Sequence, residues 1–319
     1  MNKIGITGVY FGEFPTYFPL WLNSCSYNET IDFIIISDQN IPKKPDNVRI
    51  IKMTFNEFKN MAQRKLELEI SVERPYKICD FKPAIGVICE DYLTGYDFWG
   101  YCDFDMIFGD LRKYFTDELL GSYDKILPLG HLSLYRNTKE NNNRYKLDGS
   151  LVGDYKKVFT TDKGFAFDEL NGIYQIYKSN HFSMYDERIF ADISSIHKRF
   201  RLALNDVNYK YQIFSFHEGK IYREYFINNT YYKEEFIYIH IKKPKSLDIK
   251  FDSEFCSSFY VTNTGFYKKE KDAQLNDVKK YNNYLGDLFE KNEKIKSKII
   301  YYSKALQNKI LTVRKNMIG

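Results

Sequence analysis

Two aspartates separated by one residue are the clearest candidates for chemistry in this 319-residue chain. Residues 98–102 are apolar enough to form a buried strand, and they run directly into Asp103-Phe104-Asp105. Residues two apart in an extended backbone face the same side, so both carboxylates would point one way. Such a pair suits Mg²⁺ or Mn²⁺, which take oxygen ligands and keep coordination positions open for substrate phosphates. The alternative is that the aspartates cap a helix over 109–115, a role that Asp110 could also fill.

Alternating strands and helices are predicted to position this pair. Thr54 and Glu57 form a capping box that opens a helix reaching about residue 70, and Asp80 is the predicted N-cap of a helix ending near residue 92. Another helix is predicted over 17–25. Apolar and β-branched runs predict strands at 3–11, 32–38, 48–53, 98–102, 126–129, 132–135 and 236–241. Residues 150–235 are Tyr-rich and irregular. This order predicts an α/β fold with a mixed, mostly parallel sheet.

Residues 76–84 and 96–105 together resemble uncharacterised glycosyltransferase-like proteins of bacterial capsule and polysaccharide loci. They are similar, more distantly, to the GT-A glycosyltransferases of families 8 and 32, in which a Ser-Asp-x-x-Arg element precedes a helix, a glycine and the Asp-x-Asp strand. Here Cys79-Asp80 stands for Ser-Asp, and Lys82 lies one residue short of the arginine. The resemblance covers about residues 1–245. It implies a GT-A-like fold, a single Rossmann-like domain, and retention of anomeric configuration.

A histidine at the end of a late strand extends the resemblance. His240 is followed by Ile241-Lys242-Lys243-Pro244, where family 8 enzymes place a histidine ligand and a Lys-Pro pair. The resemblance implies that Asp103, Asp105 and His240 hold Mn²⁺ or Mg²⁺. A lysine, Lys242 or Lys243, would neutralise the diphosphate leaving group. The alternative is a histidine with a purely structural role.

The donor nucleotide sugar has further candidate contacts. Tyr10 and Asp38 end the first two predicted strands, where a GT-A fold holds the base and ribose at the carboxyl edge of the sheet. Asp38 could equally cap a loop. The resemblance also assigns Asp80 and Lys82, together with Asp103, to the donor.

Three residues are candidates for contact with the reacting sugar or the acceptor, and we predict them as the catalytic group. His131 follows Gly130 in a segment similar to a sugar-site wall, and its alternative role is in a turn. Asp168 and Glu169 follow an aromatic cluster. The alternative for both acids is a helix N-terminus, where the dipole favours negative charge.

Charge divides the chain into two predicted parts. Residues 268–319 carry 13 Lys and Arg against 6 Asp and Glu, whereas the preceding residues carry 34 against 36. We therefore predict a catalytic domain over 1–265 and a basic amphipathic helical extension over 266–319, which would lie on anionic lipid or pack on the domain or a second subunit. The small net charge of +5 argues against a nucleic-acid partner.

Composition sets the broad class. At 44% hydrophobic residues the chain can bury a substantial core, which excludes global disorder. Five cysteines without a CxxC spacing argue against disulfides and a cysteine zinc site, and favour a reducing compartment. No apolar run approaches the roughly 20 residues of a membrane span, and the first residues lack a signal-peptide pattern. We predict a cytoplasmic location, or a peripheral one on the inner face of the cell membrane.

The functional prediction is a metal-dependent glycosyltransferase that moves a hexose from a nucleoside diphosphate sugar, UDP-hexose by resemblance, to a bacterial polysaccharide or lipid-linked glycan. The alternative is a non-catalytic nucleotide-sugar-binding protein, or a membrane-associated assembly protein of a polysaccharide pathway. Donor hydrolysis separates the enzyme from the binder, and the response to UDP separates both from a scaffold.

Overall fold

The computed structural model of the chain describes residues 1–282 except 196, 198, 204–206, 243–245 and 253–255. The strands of this part are β1 Ile4–Tyr10, β2 Ile31–Ser37, β3 Val48–Lys52, β4 Phe98–Cys102, β5 Met106–Phe108, β6 Lys125–Ile126, β7 Leu132–Arg136, β8 Met184–Tyr185, β9 Ala191–Asp192, β10 Tyr211–His217, β11 Lys220–Ile227, β12 Thr230–Phe236, β13 Tyr238–His240, β14 Ser258–Thr262 and β15 Gly265–Lys268. They form three sheets.

Helices in the described part are short. The α-helices are α1 Phe18–Ser26, α2 Phe55–Leu66, α3 Ile85–Ile88, α4 Leu111–Tyr114, α5 Asp117–Ser122, α6 Lys139–Asn142, α7 Tyr155–Phe159, α8 Ile173–Ser179 and α9 Leu275–Tyr281. The 3₁₀ segments are Pro75–Ala84, Glu90–Tyr92 and Arg144–Lys146.

A seven-stranded sheet in the order β3-β2-β1-β4-β7-β6-β8 forms the centre of the molecule. The pairs β3-β2, β2-β1, β1-β4 and β6-β8 are parallel, and β7 is antiparallel to both β4 and β6. The predicted α/β class with a mixed, mostly parallel sheet is therefore confirmed.

Both faces of this sheet are covered, as the continuous apolar run in β2 predicts. Ile35 packs with Trp21 of α1 on one face, and Ile34 packs with Phe58 of α2 and Phe81 on the other. The predicted capping box opens α2, because Thr54 accepts a hydrogen bond from the Glu57 backbone N–H and the Glu57 carboxylate accepts one from the Thr54 N–H. Burial on two faces makes this sheet a rigid base for its loop edge.

Two smaller sheets complete the described fold. β5, β13 and β9 form a three-stranded sheet in which β13 runs antiparallel to β5 and parallel to β9. The order β12-β11-β10-β14-β15 forms an antiparallel five-stranded sheet. Residues of β10, β11, β13 and β14 share one hydrophobic cluster, so the two sheets pack together.

The prediction of a continuous helix from Asp80 to about residue 92 is wrong. Residues Pro75–Ala84 form a 3₁₀ segment, and the α-helical turn begins only at Ile85. Pro83 supplies the physical reason, because proline lacks an N–H donor and disfavours helical geometry at the residue before it. Asp80 consequently lies inside the segment instead of capping a helix.

The predicted boundary after residue 265 falls at the start of β15. This strand pairs with β14, and Asn282 after α9 donates hydrogen bonds to the carbonyl oxygens of Phe200 at 2.9 Å and Gln212 at 2.7 Å. Residues 266–282 therefore pack on the five-stranded sheet. Residues 283–319, which hold the apolar positions of the predicted amphipathic helix, lie outside the described part. No helix among the described residues is long and apolar enough to cross a bilayer.

Candidate active site

The turn after β4 is held by the aromatic residue between the two aspartates. The Phe104 ring is buried, and its centroid lies 4.9 Å from that of Trp21. Gly8 of β1 makes room for this ring, since a Cβ there would come within 2.4 Å of Phe104 Cζ. Trp21 Nε1 also donates a hydrogen bond to the Asp103 carbonyl oxygen at 3.1 Å. With Phe104 directed into the core, the flanking aspartates face the opposite side.

A cavity of about 890 Å³ opens beside this turn. It lies at the carboxyl ends of β1 and β4, the edge where open α/β sheets bind ligands. The predicted site residues that line it are Tyr10, Asp80, Lys82, Asp103, Asp105, Asp168, Glu169, His240 and Lys242. The structure thus brings most of the predicted site to one cavity.

Asp103, Asp105 and His240 meet at one point of the cavity wall. One potential ligand atom from each lies within 4.8 Å of the other two. The closest approach joins His240 Nε2 to Asp105 Oδ1 at 3.2 Å. The backbone fixes this meeting, because β13 pairs with β5 and the Ile241 N–H donates to the Asp105 carbonyl oxygen at 2.8 Å.

The charges in this cluster shift one another's protonation. Burial lowers the pKa of His240, but the Asp105 carboxylate and then Asp192 and Asp103 outweigh burial and raise that pKa to about 9. Burial raises the pKa of Asp105, yet the charge and hydrogen bond of His240 leave it below its usual value. For Asp103, burial outweighs the opposing charge of Lys82, and the pKa is raised.

Lys82 joins the predicted metal cluster to the predicted catalytic acids. Its Nζ lies 2.7 Å from Asp103 Oδ1 and 3.2 Å from Asp168 Oδ2, and it donates to the Gly130 carbonyl oxygen at 2.8 Å. Burial lowers the pKa of Lys82, but Asp103, the Cys79 thiol and Asp168 raise it well above its ordinary value. An ammonium therefore stays charged at the wall of the cavity.

Asp168 and Glu169 reach the cavity because Gly130, the residue opposite them, has no side chain. A Cβ on Gly130 would lie 2.3 Å from Asp168 Oδ2 and 3.0 Å from Glu169 Oε1. Burial raises the pKa of Asp168; Lys82 opposes this shift, Glu169 and Asp103 add to it, and the result is about 7. Near neutral pH this carboxyl can exchange a proton, as a general acid or base must.

Asp80 borders the cavity, and its carboxylate is bound by other groups of the protein. Its carboxylate accepts hydrogen bonds from the backbone N–H groups of Phe165 at 3.0 Å and Phe167 at 2.9 Å. Lys77 Nζ lies 2.8 Å from Asp80 Oδ2 and also donates to the carbonyl oxygens of Val158 and Lys163. The carboxylate is thus occupied in holding the loop that carries Asp168.

Two other predicted residues lie outside the lining of the cavity. Asp38 does not line the cavity; its carboxylate accepts from the Gly12 backbone N–H at 3.0 Å, a bond that lowers the pKa of Asp38. This is the loop-capping alternative. His131 is buried behind His240, with the two ring centroids 4.3 Å apart, and it does not line the cavity either. Burial first, and then the charge of His240, hold the pKa of His131 well below its usual value.

The remaining predicted contacts divide three ways. Tyr10 lines the cavity and donates through its hydroxyl to the Glu13 carbonyl oxygen at 3.1 Å. Lys242 also lines the cavity, but its Nζ pairs with Asp192 Oδ2 at 2.8 Å. Lys243 lies outside the described residues.

Sequence reasoning missed three residues that shape the site. Asp192 pairs with His240, Lys77 holds Asp80, and Gly130 admits the acidic pair. Gly130 stood next to a predicted residue, but the need for a missing Cβ depends on a loop 38 positions further along. No local pattern marks Asp192 or Lys77, because their partners come from other elements.

Together these features define a mixed α/β protein with an acidic cavity that pairs carboxylates with one imidazole. The chain belongs to the Family of unknown function (DUF6625), whose model matches residues 6–270. No curated protein matches it.

Among solved structures, the chain is similar to the galactosyltransferase LgtC in complex with donor and acceptor sugar analogues, at 13% identity and a TM-score of 0.33. The match covers 59% of this chain and 75% of LgtC. It is also similar to the glycosyltransferase GlyE of Streptococcus pneumoniae TIGR4, at 14% identity and a TM-score of 0.33, over 59% of this chain. This second match spans only 46% of GlyE.

Proposed function

We propose that this protein is a metal-dependent glycosyltransferase that transfers a hexose from a nucleoside diphosphate sugar, with UDP-hexose as the donor. The observation that carries the proposal is the meeting of Asp103, Asp105 and His240 beside Lys82 and Asp168 in one large cavity. The resemblance of residues 76–105 to GT-A enzymes of families 8 and 32 supports the same reaction and implies retention.

The residues present fit a divalent ion. Two carboxylates and one imidazole form a donor set suited to Mn²⁺, and Mg²⁺ accepts the carboxylates. The charges permit such an ion. In the metal-free site the carboxylates of Asp103 and Asp105 are paired with Lys82 and His240, and a divalent ion held there would take the place of the His240 Nε2 proton.

Each group has a proposed task in the transfer. A divalent ion bound by Asp103, Asp105 and His240 would supply positive charge to the diphosphate as it departs. Lys82 holds Asp103 and Asp168 in fixed positions, and its ammonium adds positive charge at the same wall. Asp168 and Glu169 are proposed to contact the donor sugar, because they reach the cavity past Gly130.

For the acceptor we propose a polysaccharide or lipid-linked glycan. The resemblance to proteins of polysaccharide loci supports this choice. The excess of Lys and Arg over residues 268–319 supports a peripheral position on an anionic membrane surface.

Donor hydrolysis tests the proposal directly. The protein should hydrolyse a UDP-hexose slowly in the presence of Mn²⁺, and chelation should stop the reaction. Asp105→Ala should abolish this activity while keeping the circular dichroism spectrum, because the residue lies at the cavity wall. Asp91→Ala is the matched control, since this exposed aspartate pairs with Lys65 outside the cavity and should keep full activity.

A thermal-stability screen, compared with donor hydrolysis, separates an enzyme from a non-catalytic binding protein. A panel of nucleotide sugars with Mn²⁺ should raise the melting temperature for the true donor, because a ligand that binds the folded state stabilises it. Stabilisation without turnover would support the non-catalytic nucleotide-sugar-binding alternative. Full hydrolytic activity in Asp105→Ala would remove the metal site from the proposal.

A further inference from the structure

A buried aspartate outside the cavity wall contacts the proposed histidine ligand. Asp192 is 1% exposed, and its Oδ1 lies 2.9 Å from His240 Nδ1. Its second oxygen, Oδ2, accepts a hydrogen bond from Lys242 Nζ at 2.8 Å. Both oxygens of the Asp192 carboxylate are therefore bound by residues at the end of β13, His240 and Lys242.

The sheet, and not a flexible loop, sets this contact. β9 and β13 are parallel neighbours, and Asp192 stands in register with His240. The Ile193 N–H donates to the His240 carbonyl oxygen at 2.9 Å, and the Ala203 N–H donates to the Asp192 carbonyl oxygen at 2.7 Å. The backbones on both sides of the contact are thus fixed by hydrogen bonds.

Lys242 is turned toward the same carboxylate. Its φ of 49° lies in the left-handed region, which a residue with a side chain seldom adopts. This conformation ends β13 and accompanies the ion pair with Asp192. The lysine supplies the counter-charge for a buried carboxylate, which would otherwise be costly to desolvate.

The two nitrogens of His240 consequently have different partners. A neutral imidazole that donates its Nδ1 proton to a carboxylate presents the lone pair of Nε2, and this arrangement is how histidine ligands of metals are usually oriented. Nε2 of His240 faces Asp105 Oδ1 at 3.2 Å, on the side where Asp103 also lies. The imidazole is held between one carboxylate in the core and two at the cavity.

We propose that Asp192 is a positioning residue: it accepts a hydrogen bond from His240 Nδ1 and so leaves Nε2 as the nitrogen that would bind a divalent cation together with Asp103 and Asp105. The inference rests on the proposed function and adds a residue to it. Lys242 then pairs with Asp192, so we do not assign it the phosphate-binding role predicted for it.

The orientation of His240 can be measured in the metal-free protein. The chain contains five histidines, so long-range ¹H–¹⁵N spectra of histidine-labelled protein are simple, and His240→Gln identifies the signal. Both nitrogens carry protons while the imidazole is charged, so the spectra are recorded at rising pH until the ring is neutral. The proposal expects the one remaining proton on Nδ1 of His240 in the unsubstituted protein and a changed nitrogen pattern in Asp192→Asn. A His240 that carries its only proton on Nε2 overturns the proposal, and this reading needs no variant of Asp192.

Metal affinity provides the second measurement. Loss of the free Mn²⁺ signal in electron paramagnetic resonance reports binding, and the absorption of bound Co²⁺ reports ligand geometry. Asp192→Asn should weaken Mn²⁺ binding by about 10- to 100-fold and change the Co²⁺ spectrum. Asp124→Asn is the control, because Asp124 pairs with Arg136 and Arg144 away from the cavity, and it should change neither.

The outcomes separate this inference from the function on which it rests. If the unsubstituted protein binds Mn²⁺ and Asp192→Asn binds it equally well, Asp192 has no positioning role and the proposed function stands. If the unsubstituted protein binds neither Mn²⁺ nor Co²⁺, the metal-dependent function fails and this inference fails with it.

Discussion

Two lysines of the short segment Pro75–Ala84 pair with aspartates in opposite surroundings. Lys77 and Asp80 lie 2.8 Å apart, with their side chains 2% and 3% exposed, and their further hydrogen bonds join them to backbone groups. Lys82 and Asp103 lie 2.7 Å apart, but the Asp103 side chain is 31% exposed to the cavity. The first pair is closed and the second is open.

The two pairs therefore have different tasks: the closed pair holds a loop in place, and the open pair borders the cavity. The closed pair fixes the loop that carries Asp168, where Ala166 adopts a left-handed φ of 53°. The open pair keeps a charged group and a carboxylate in reach of a ligand. A segment of ten residues thus provides both the anchor and part of the proposed site.

Breaking the closed pair should have the largest effect. Asp80→Ala leaves the Lys77 ammonium buried without its counter-charge and frees two backbone N–H groups, so we expect a loss of about 3–5 kcal/mol in the free energy of unfolding. Urea denaturation measures this change. Asp91→Ala, in an exposed pair with Lys65, should lose about 1 kcal/mol or less. Equal losses in the two variants would show that the closed pair is not an anchor.

Breaking the open pair should reduce activity more than stability. Lys82→Met removes positive charge beside the proposed diphosphate site, and we expect kcat/KM for donor hydrolysis to fall by about 10²- to 10³-fold. Lys65→Met, in the exposed pair, is the control and should retain full activity. A Lys82→Met enzyme within threefold of the unsubstituted protein would exclude a role for Lys82 in the reaction.

Adding a side chain at Gly130 should move Asp168 without removing its carboxylate. In Gly130→Ala the new Cβ would lie 2.3 Å from Asp168 Oδ2, so the acid must shift. A displacement of about 1 Å at a reacting group can cost about 10²-fold in rate, and we expect that loss in kcat. Gly121→Ala is the control, because nothing lies within 4 Å of its added Cβ. Unchanged kcat in Gly130→Ala would argue against Asp168 as a contact of the reacting sugar.

The smallest expected effect is a pH dependence of stability. Burial first raises the pKa of Asp168 from 3.8 to about 7, so between these values the folded state holds a proton that the unfolded state releases. Stability contributed by protonated Asp168 is therefore lost as pH rises from about 4 to about 7. The melting temperature of Asp168→Asn relative to the unsubstituted protein should rise over this range and level off above it. A constant difference would contradict the raised pKa.

The sequence predicted the parts of the site that directly follow strong strands. Asp103 and Asp105 come after the buried β4, and His240 ends β13, so local hydrophobicity placed them at strand ends, and the resemblance to GT-A enzymes joined them in one predicted site. The sheet edge then brought them together. The same logic placed β1, β2 and β3 within a residue or two of their observed ends.

Residues whose roles depend on distant partners escaped prediction. Asp80 matched a helix cap by residue type, yet its two backbone partners are 85 and 87 positions away. The strands β10, β11 and β12 were hidden because their faces carry tyrosines and paired charges such as Arg223 with Glu234. Long-range burial, which no local pattern encodes, decides both cases.

Calorimetric titration of UDP with and without Mn²⁺ tests the proposed metal-dependent donor site. UDP should bind the unsubstituted protein with Mn²⁺ present, binding should weaken sharply after chelation, and Asp105→Ala should remove the dependence on metal. UDP binding of equal strength with and without Mn²⁺, or no binding under either condition, would contradict it.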